Sequence, residues 1–135
     1  MNASLLVPER KDDLGAVGAL RTHILQHGYD PAVISVIPQL LSWVLDLHWP
    51  VALEVADALR GAGALLVEPI RQILESDDAA AKFAILTALV RNLDGEVIRA
   101  LVPALSHVAS IRDEEGAAEA AAEIIELLIV RPRES

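Results

Sequence analysis

Glu68–Leu89 reads EPIRQILESDDAAAKFAILTAL, three parts in a fixed order: a proline followed by aliphatics, an acidic turn at Ser76-Asp77-Asp78, and an alanine-rich run. A proline is tolerated in the first turn of a helix, because its missing N–H has no intrahelical partner there. An aspartate just ahead of the alanine run is a natural N-cap, since its carboxylate accepts from the free N–H groups of the first turn. The stretch therefore predicts two helices joined by a capped turn. The same order returns on both sides. Upstream, Ile37-Pro-Gln-Leu-Leu leads to Asp46 and then to Ala52–Leu59; downstream, Val102-Pro-Ala-Leu leads to Asp113 and then to Ala117–Ile125. Pro38, Pro69 and Pro103 stand a little over thirty residues apart.

A helix pair repeated at that period is the layout of a HEAT-like array, in which each unit buries its apolar face only against its neighbours. The expectation is an all-α, HEAT-like helical-repeat fold (an α-α superhelix) of about three helix pairs plus an N-terminal helix. It forms one domain over residues 1–130, with 131–135 a frayed tail. Working outward, Asp12–Asp13 caps a helix from Leu14 to Gln26 that Gly28 stops, and Asp30–Pro31 restarts one to Leu45 with a kink near Ser35–Pro38. Further helices are expected from Pro50 to Arg60, Leu65 to Leu74, Ala79 to Leu93, Glu96 to Ser110 and Gly116 to Val130, with Asp94–Gly95 closing the fifth.

The periodicity also assigns faces. Val51, Val55 and Leu59 share one stripe, as do Phe83, Leu86, Val90 and Leu93, and as do Ala118, Ala121, Ala122, Ile125 and Leu128. Glu54, Asp57 and Arg60 face away from the first stripe, and Glu115, Glu119, Glu123 and Glu126 from the last. These seven residues and Arg91 form the expected partner-binding ridge, mostly acidic.

Composition narrows the function classes. Of 135 residues, 53% are hydrophobic but only 3% aromatic, so Ala, Leu, Val and Ile build the core. There is no cysteine, which excludes disulfides, thiolate metal sites and a cysteine nucleophile. The net charge of −9 repels nucleic-acid backbones and anionic membranes, so neither is expected as a partner. The apolar stretch Leu5–Val7 is too short for a signal segment, and Pro31–Leu45 is too short to span a bilayer. A cytoplasmic protein is expected.

Trp43-Val-Leu-Asp-Leu-His-Trp-Pro-Val-Ala52 resembles a motif, W-L-x-D-x-N-W-P-V-A, of a bacterial family of small helical proteins catalogued as a domain of unknown function. Leu6-Val-Pro with Lys11, Asp13 and Leu14 resembles that family's start, and Ile73-Leu-x-Ser-Asp-Asp78 with Lys82 its middle. The resemblance covers nearly the whole chain and implies a HEAT-like helical fold without an established activity. The chain departs from the pattern at His48, where the family has Asn, and in Ala80-Ala-Lys-Phe-Ala84, where the family is richer in Trp and Tyr. Related helical-repeat proteins occur as immunity or accessory proteins beside bacterial toxins.

Three constellations bear on chemistry. His23 and His27 stand four apart on one helix, a spacing that suits zinc, with Asp30 as a third ligand; solvent-exposed or helix-end histidines are the plainer reading, His27 suiting the helix dipole, and no metal or other cofactor is assigned. Asp46 and His48 could form an acid–base pair beside Trp49 and Pro50, with Ser42 as nucleophile. Alternatively Asp46 caps the helix opened by Pro50, and Trp49 plugs the seam between helices. Asp77–Asp78 and Asp113-Glu-Glu115 read as caps rather than as a calcium loop. The leading expectation is a non-enzymatic protein–protein interaction module, of immunity or accessory type, that takes a basic protein partner on its acidic face. A small enzyme or ligand- or metal-binding domain at the Asp46/His48/Trp49 turn is the alternative. A third reading is a homo-oligomer, since mean hydropathy is high at +0.41 and apolar residues cover more than one face of Ile34–Leu47.

Overall fold

The computed structural model describes residues 3–130, which hold seven α-helices, three 3-10 segments and no strand. The helices are α1 (Leu14–His27), α2 (Pro31–Ser42), α3 (Pro50–Leu59), α4 (Val67–Leu74), α5 (Ala79–Ala88), α6 (Gly95–Ser110) and α7 (Ala117–Val130). The expected tail, 131–135, lies outside the described residues.

Aspartate side chains cap four of these helices, each supplying an oxygen to N–H groups that lack an intrahelical partner. Asp13 accepts from Ala16 N at 3.3 Å, Asp30 from Val33 N at 3.2 Å, and Asp78 from Ala81 N at 3.0 Å. Asp113 accepts from Ala117 N at 3.0 Å and Ala118 N at 2.9 Å, and the Ala118 N–H leads the backbone donors that hold its carboxyl below the usual range.

Several boundaries differ from the sequence reading, each for a local reason. α2 runs through Pro38 without a break. Proline leaves the Ile34 carbonyl unserved, but Ile34 and Pro38 are exposed, so solvent can reach that turn. α2 ends at Ser42 rather than Leu45, where tight i→i−3 bonds from Trp43, Val44 and Leu45 take over and turn Val44 fully inward. α5 stops at Ala88 instead of Leu93. A 3-10 turn over Val90–Asn92 follows, and Leu89, Val90 and Leu93 are all buried across it. Asp94 starts α6 rather than closing α5. Between α3 and α4 the 3-10 segment Arg60–Leu66 turns at Gly63, whose φ of +62° is left-handed.

Packing is pairwise between neighbours. α1, α3, α5 and α7 follow one another in one row, α2, α4 and α6 in a second, and α6 lies along α7 as the most extensive helix pair. The core between the rows is aliphatic, with Leu20, Leu40, Leu59, Leu66, Ile85 and Leu89 fully buried. Val51, Val55 and Leu59 share the buried face of α3 as their spacing requires. On α7 the buried stripe is Ala117, Ala120, Ala121 and Ile124, so the expected stripe is rotated: Ala118 is only half-buried and Ala122 is exposed. Small residues face α5 along α7, and Gly116, just ahead of α7, lies against Phe83 of α5. Its φ is +91°, and a Cβ there would sit 3.3 Å from the Phe83 ring. Gly116→Ala is expected to cost about 1–2 kcal/mol, read as a lower urea midpoint at unchanged m-value. Among the described residues no helix is long and apolar enough to cross a membrane.

Candidate functional site

The motif turn joins α2 to α3. Asp46 does not cap α3: Trp49 occupies the N-cap position, and its side chain makes no capping bond. Asp46 instead closes a local turn, its Oδ1 accepting from His48 N at 2.9 Å and lying 3.0 Å from His48 Nδ1. The His48 backbone N–H, ahead of its ring, holds the Asp46 carboxyl below its ordinary value. His48 is 98% exposed, so the pair sits in bulk solvent. Ser42, the hydroxyl considered as nucleophile, donates to the Gln39 carbonyl of its own helix. Trp43 and Trp49 meet edge to face, ring centroids 5.2 Å apart, both half-buried against the core. The Val51 N–H donates to the Lys11 carbonyl at 3.1 Å, tying the chain ahead of α1 to the start of α3. The turn is thus built as a structural joint, with its aromatic pair as the plug.

His23 and His27 do share a side of α1, ring centroids 4.8 Å apart, but their environments differ. His23 is the one buried polar residue among those described, at 6% exposure. Its Nε2 lies 3.0 and 2.9 Å from the two oxygens of Asp30. An ionised carboxylate only accepts, so Nε2 carries the hydrogen and donates to it. That bond, with the Val33 N–H, holds the Asp30 carboxyl low. His23 Nδ1 is buried with no hydrogen-bond partner. Among the described residues no three His, Asp or Glu side chains gather closely enough to hold a metal ion.

The expected acidic ridge divides into two groups. On α3, Glu54 and Asp57 are engaged: Arg21 of α1 reaches Asp57 Oδ2 and Glu54 Oε2, each at 2.9 Å, and the Glu54 carbonyl at 3.2 Å. Arg60 adds a longer contact to Asp57 at 3.5 Å. Hydrogen bonding to Arg21 lowers the Asp57 pKa and raises that of Arg21. These carboxylates clamp α1 to α3. Glu115, just ahead of α7, and Glu119, Glu123 and Glu126 on it are all exposed and enter no ion pair among the described residues. α5 separates the two groups, contributing Lys82 and no carboxylate of its own, and Arg91 just beyond it lines a small crevice with Thr87 and Glu123.

One feature went unseen in the sequence. α2, α4 and the start of α5 leave an open groove of about 470 Å³ between them. Pro38, Leu41, Leu45, Pro69, Ile73 and Ala81 make it apolar, and Glu68, Gln72, Ser76 and Asp78 edge it. Glu68 is in close contact with Arg71, whose guanidinium lowers its pKa, and Ser76 Oγ already donates to the Ile73 carbonyl at 2.7 Å. The residues were legible, but their convergence depends on the spacing between α2 and α4, which no periodicity encodes.

Compared with known proteins, the chain matches the family described as Domain of unknown function (DUF5071) over residues 6–128. No curated protein matches it.

Proposed function

We propose, starting from the fact that this chain belongs to the DUF5071 family, that it is a non-enzymatic protein–protein interaction module. Its partner on this reading is a basic protein, met at the acidic face of α7. The observation that carries the reading is the set Glu119, Glu123 and Glu126 on α7 with Glu115 in the turn before it, all exposed and without cationic partners among the described residues. From Glu119 to Glu126 the helix rises about 10 Å, a span that matches two turns of a basic helix. The two rows of helices support a HEAT-like stacking of helix pairs, and with it a rigid surface that binds by shape and charge. An immunity or accessory role in the bacterial cytoplasm is the concrete form of this reading.

The test is an affinity capture from host lysate at low and high salt, followed by kinetics with the captured protein. Glu119→Gln/Glu123→Gln/Glu126→Gln is expected to lower the association rate about tenfold at low salt and little at high salt, because steering charges act on encounter and are screened. An unchanged rate in the triple variant, with the fold intact, would remove α7 as the docking face.

A further inference from the structure

The groove between α2 and α4 has a chemical polarity that selects its occupant. Its two charged edge residues, Glu68 and Asp78, are both acidic, and no cationic side chain lines it. Its donors are few. Pro38 and Pro69 have no backbone N–H, and the Ser76 hydroxyl is spent on the Ile73 carbonyl. A phosphate or carboxylate would find repulsion there and only the Gln72 amide to bond to, whereas an ammonium or guanidinium group would find the second carboxylate oxygens of Glu68 and Asp78, whose first oxygens serve Arg71 and the Ala81 N–H. The floor is aliphatic and offers burial to apolar side chains. The groove is also open to solvent. Small-molecule pockets enclose most of their ligand, while a trough suits a segment laid across it with anchors at helical spacing.

We propose that this groove receives a short amphipathic segment of a protein partner, seating aliphatic side chains on Pro38, Leu45 and Ile73 and a lysine or arginine against Glu68 and Asp78. The proposal rests on the reading of the chain as a protein-binding module, and it places a contact on the α2–α4 row, separate from the α7 face. α4 is eight residues long, about 12 Å of helix, which fits roughly two turns of a docked helix.

The test uses the full chain, isotopically labelled, titrated with two amidated peptides of about 14 residues, long enough to hold a helix on docking. Both carry the same leucine face; one has lysine and the other glutamate at the remaining positions. The lysine peptide is expected to shift the amide signals of Leu41, Ile73 and Ala81, and the glutamate peptide to leave them in place. Glu68→Gln/Asp78→Asn should weaken the lysine peptide about fivefold. Asparagine is as good an N-cap as aspartate, so α5 keeps its start. Gln72→Trp, at an exposed position, should fill the groove and weaken binding about tenfold. Shifts confined to α7 would overturn the groove while leaving the module reading standing. Equal binding of both peptides, or of neither, would overturn it too. Concentration-dependent shifts of the same amides without peptide would hand the groove to a second copy of the chain and overturn the proposal as stated.

Discussion

Trp49→Ala is expected to lower the unfolding free energy by about 2–3 kcal/mol, less than the 3–5 kcal/mol of a fully buried aromatic because the ring is only half-buried. The loss has two sources. The indole packs against the aliphatic core beside the turn, so its removal gives up apolar burial and leaves a void that the fixed Pro50 backbone cannot close. It also meets Trp43 edge to face at 5.2 Å, an arrangement worth about 0.5–1.5 kcal/mol beyond area. A double-mutant cycle with Trp43→Ala separates the two: the coupling energy should fall in that last range, with the remainder belonging to burial. Thermal unfolding should shift by about 10 °C for a chain of this size. A melting temperature that does not move would refute the structural role of the motif turn, and would return Trp49 to consideration as a ligand-facing residue.

The motif shows how far the sequence could be read. Proline spacing and acidic turns were enough to place all seven helices, because caps and breakers act through the backbone of their immediate neighbours. Asp13, Asp30, Asp78 and Asp113 all do in space what their positions imply. Asp46 was misread for a physical reason. Both a cap and an Asx turn begin with an aspartate shortly before a helix, and only the backbone direction at His48 decides between them. The early end of α5 was hidden because Leu89, Val90 and Leu93 fit a helical stripe equally well, and nothing in their spacing marks the 3-10 turn that follows Leu89. Nor could the sequence tell that Glu54 and Asp57 are occupied by Arg21, more than thirty residues away, while the α7 carboxylates are not. Charge pattern marks a solvated face; which charges remain available is a tertiary fact.

That limit applies with most force to His23 and Asp30, where the second large effect is expected. Asp30 serves two neighbours with one carboxylate, accepting from Val33 N at 3.2 Å and from His23 Nε2 at 2.9 Å. Asp30→Ala removes the cap of α2 and leaves a buried imidazole with neither nitrogen bonded, since Nδ1 already lacks a partner. Stranding one member of a buried polar pair costs more than deleting the pair. His23→Leu should accordingly stay within about 1 kcal/mol of wild type, because it fills the space, abolishes the orphaned nitrogen and leaves Asp30 free to cap. Asp30→Ala should lower the melting temperature several times further than His23→Leu does. Asp30→Asn, which keeps the cap without the charge, isolates the electrostatic part. Bonding to His23 and to the Val33 N–H depresses the Asp30 pKa in the folded state, relative to about 3.9 in an unfolded chain. A depressed carboxylate pKa contributes stability that is present above about pH 4 and lost as pH falls through the folded value. The gap in stability between wild type and Asp30→Asn should therefore be widest near neutrality and close in acid, as denaturant midpoints at several pH values would record. A gap that widens on acidification would mean that the carboxylate is protonated in the folded protein and that the pair is held by something other than its charge.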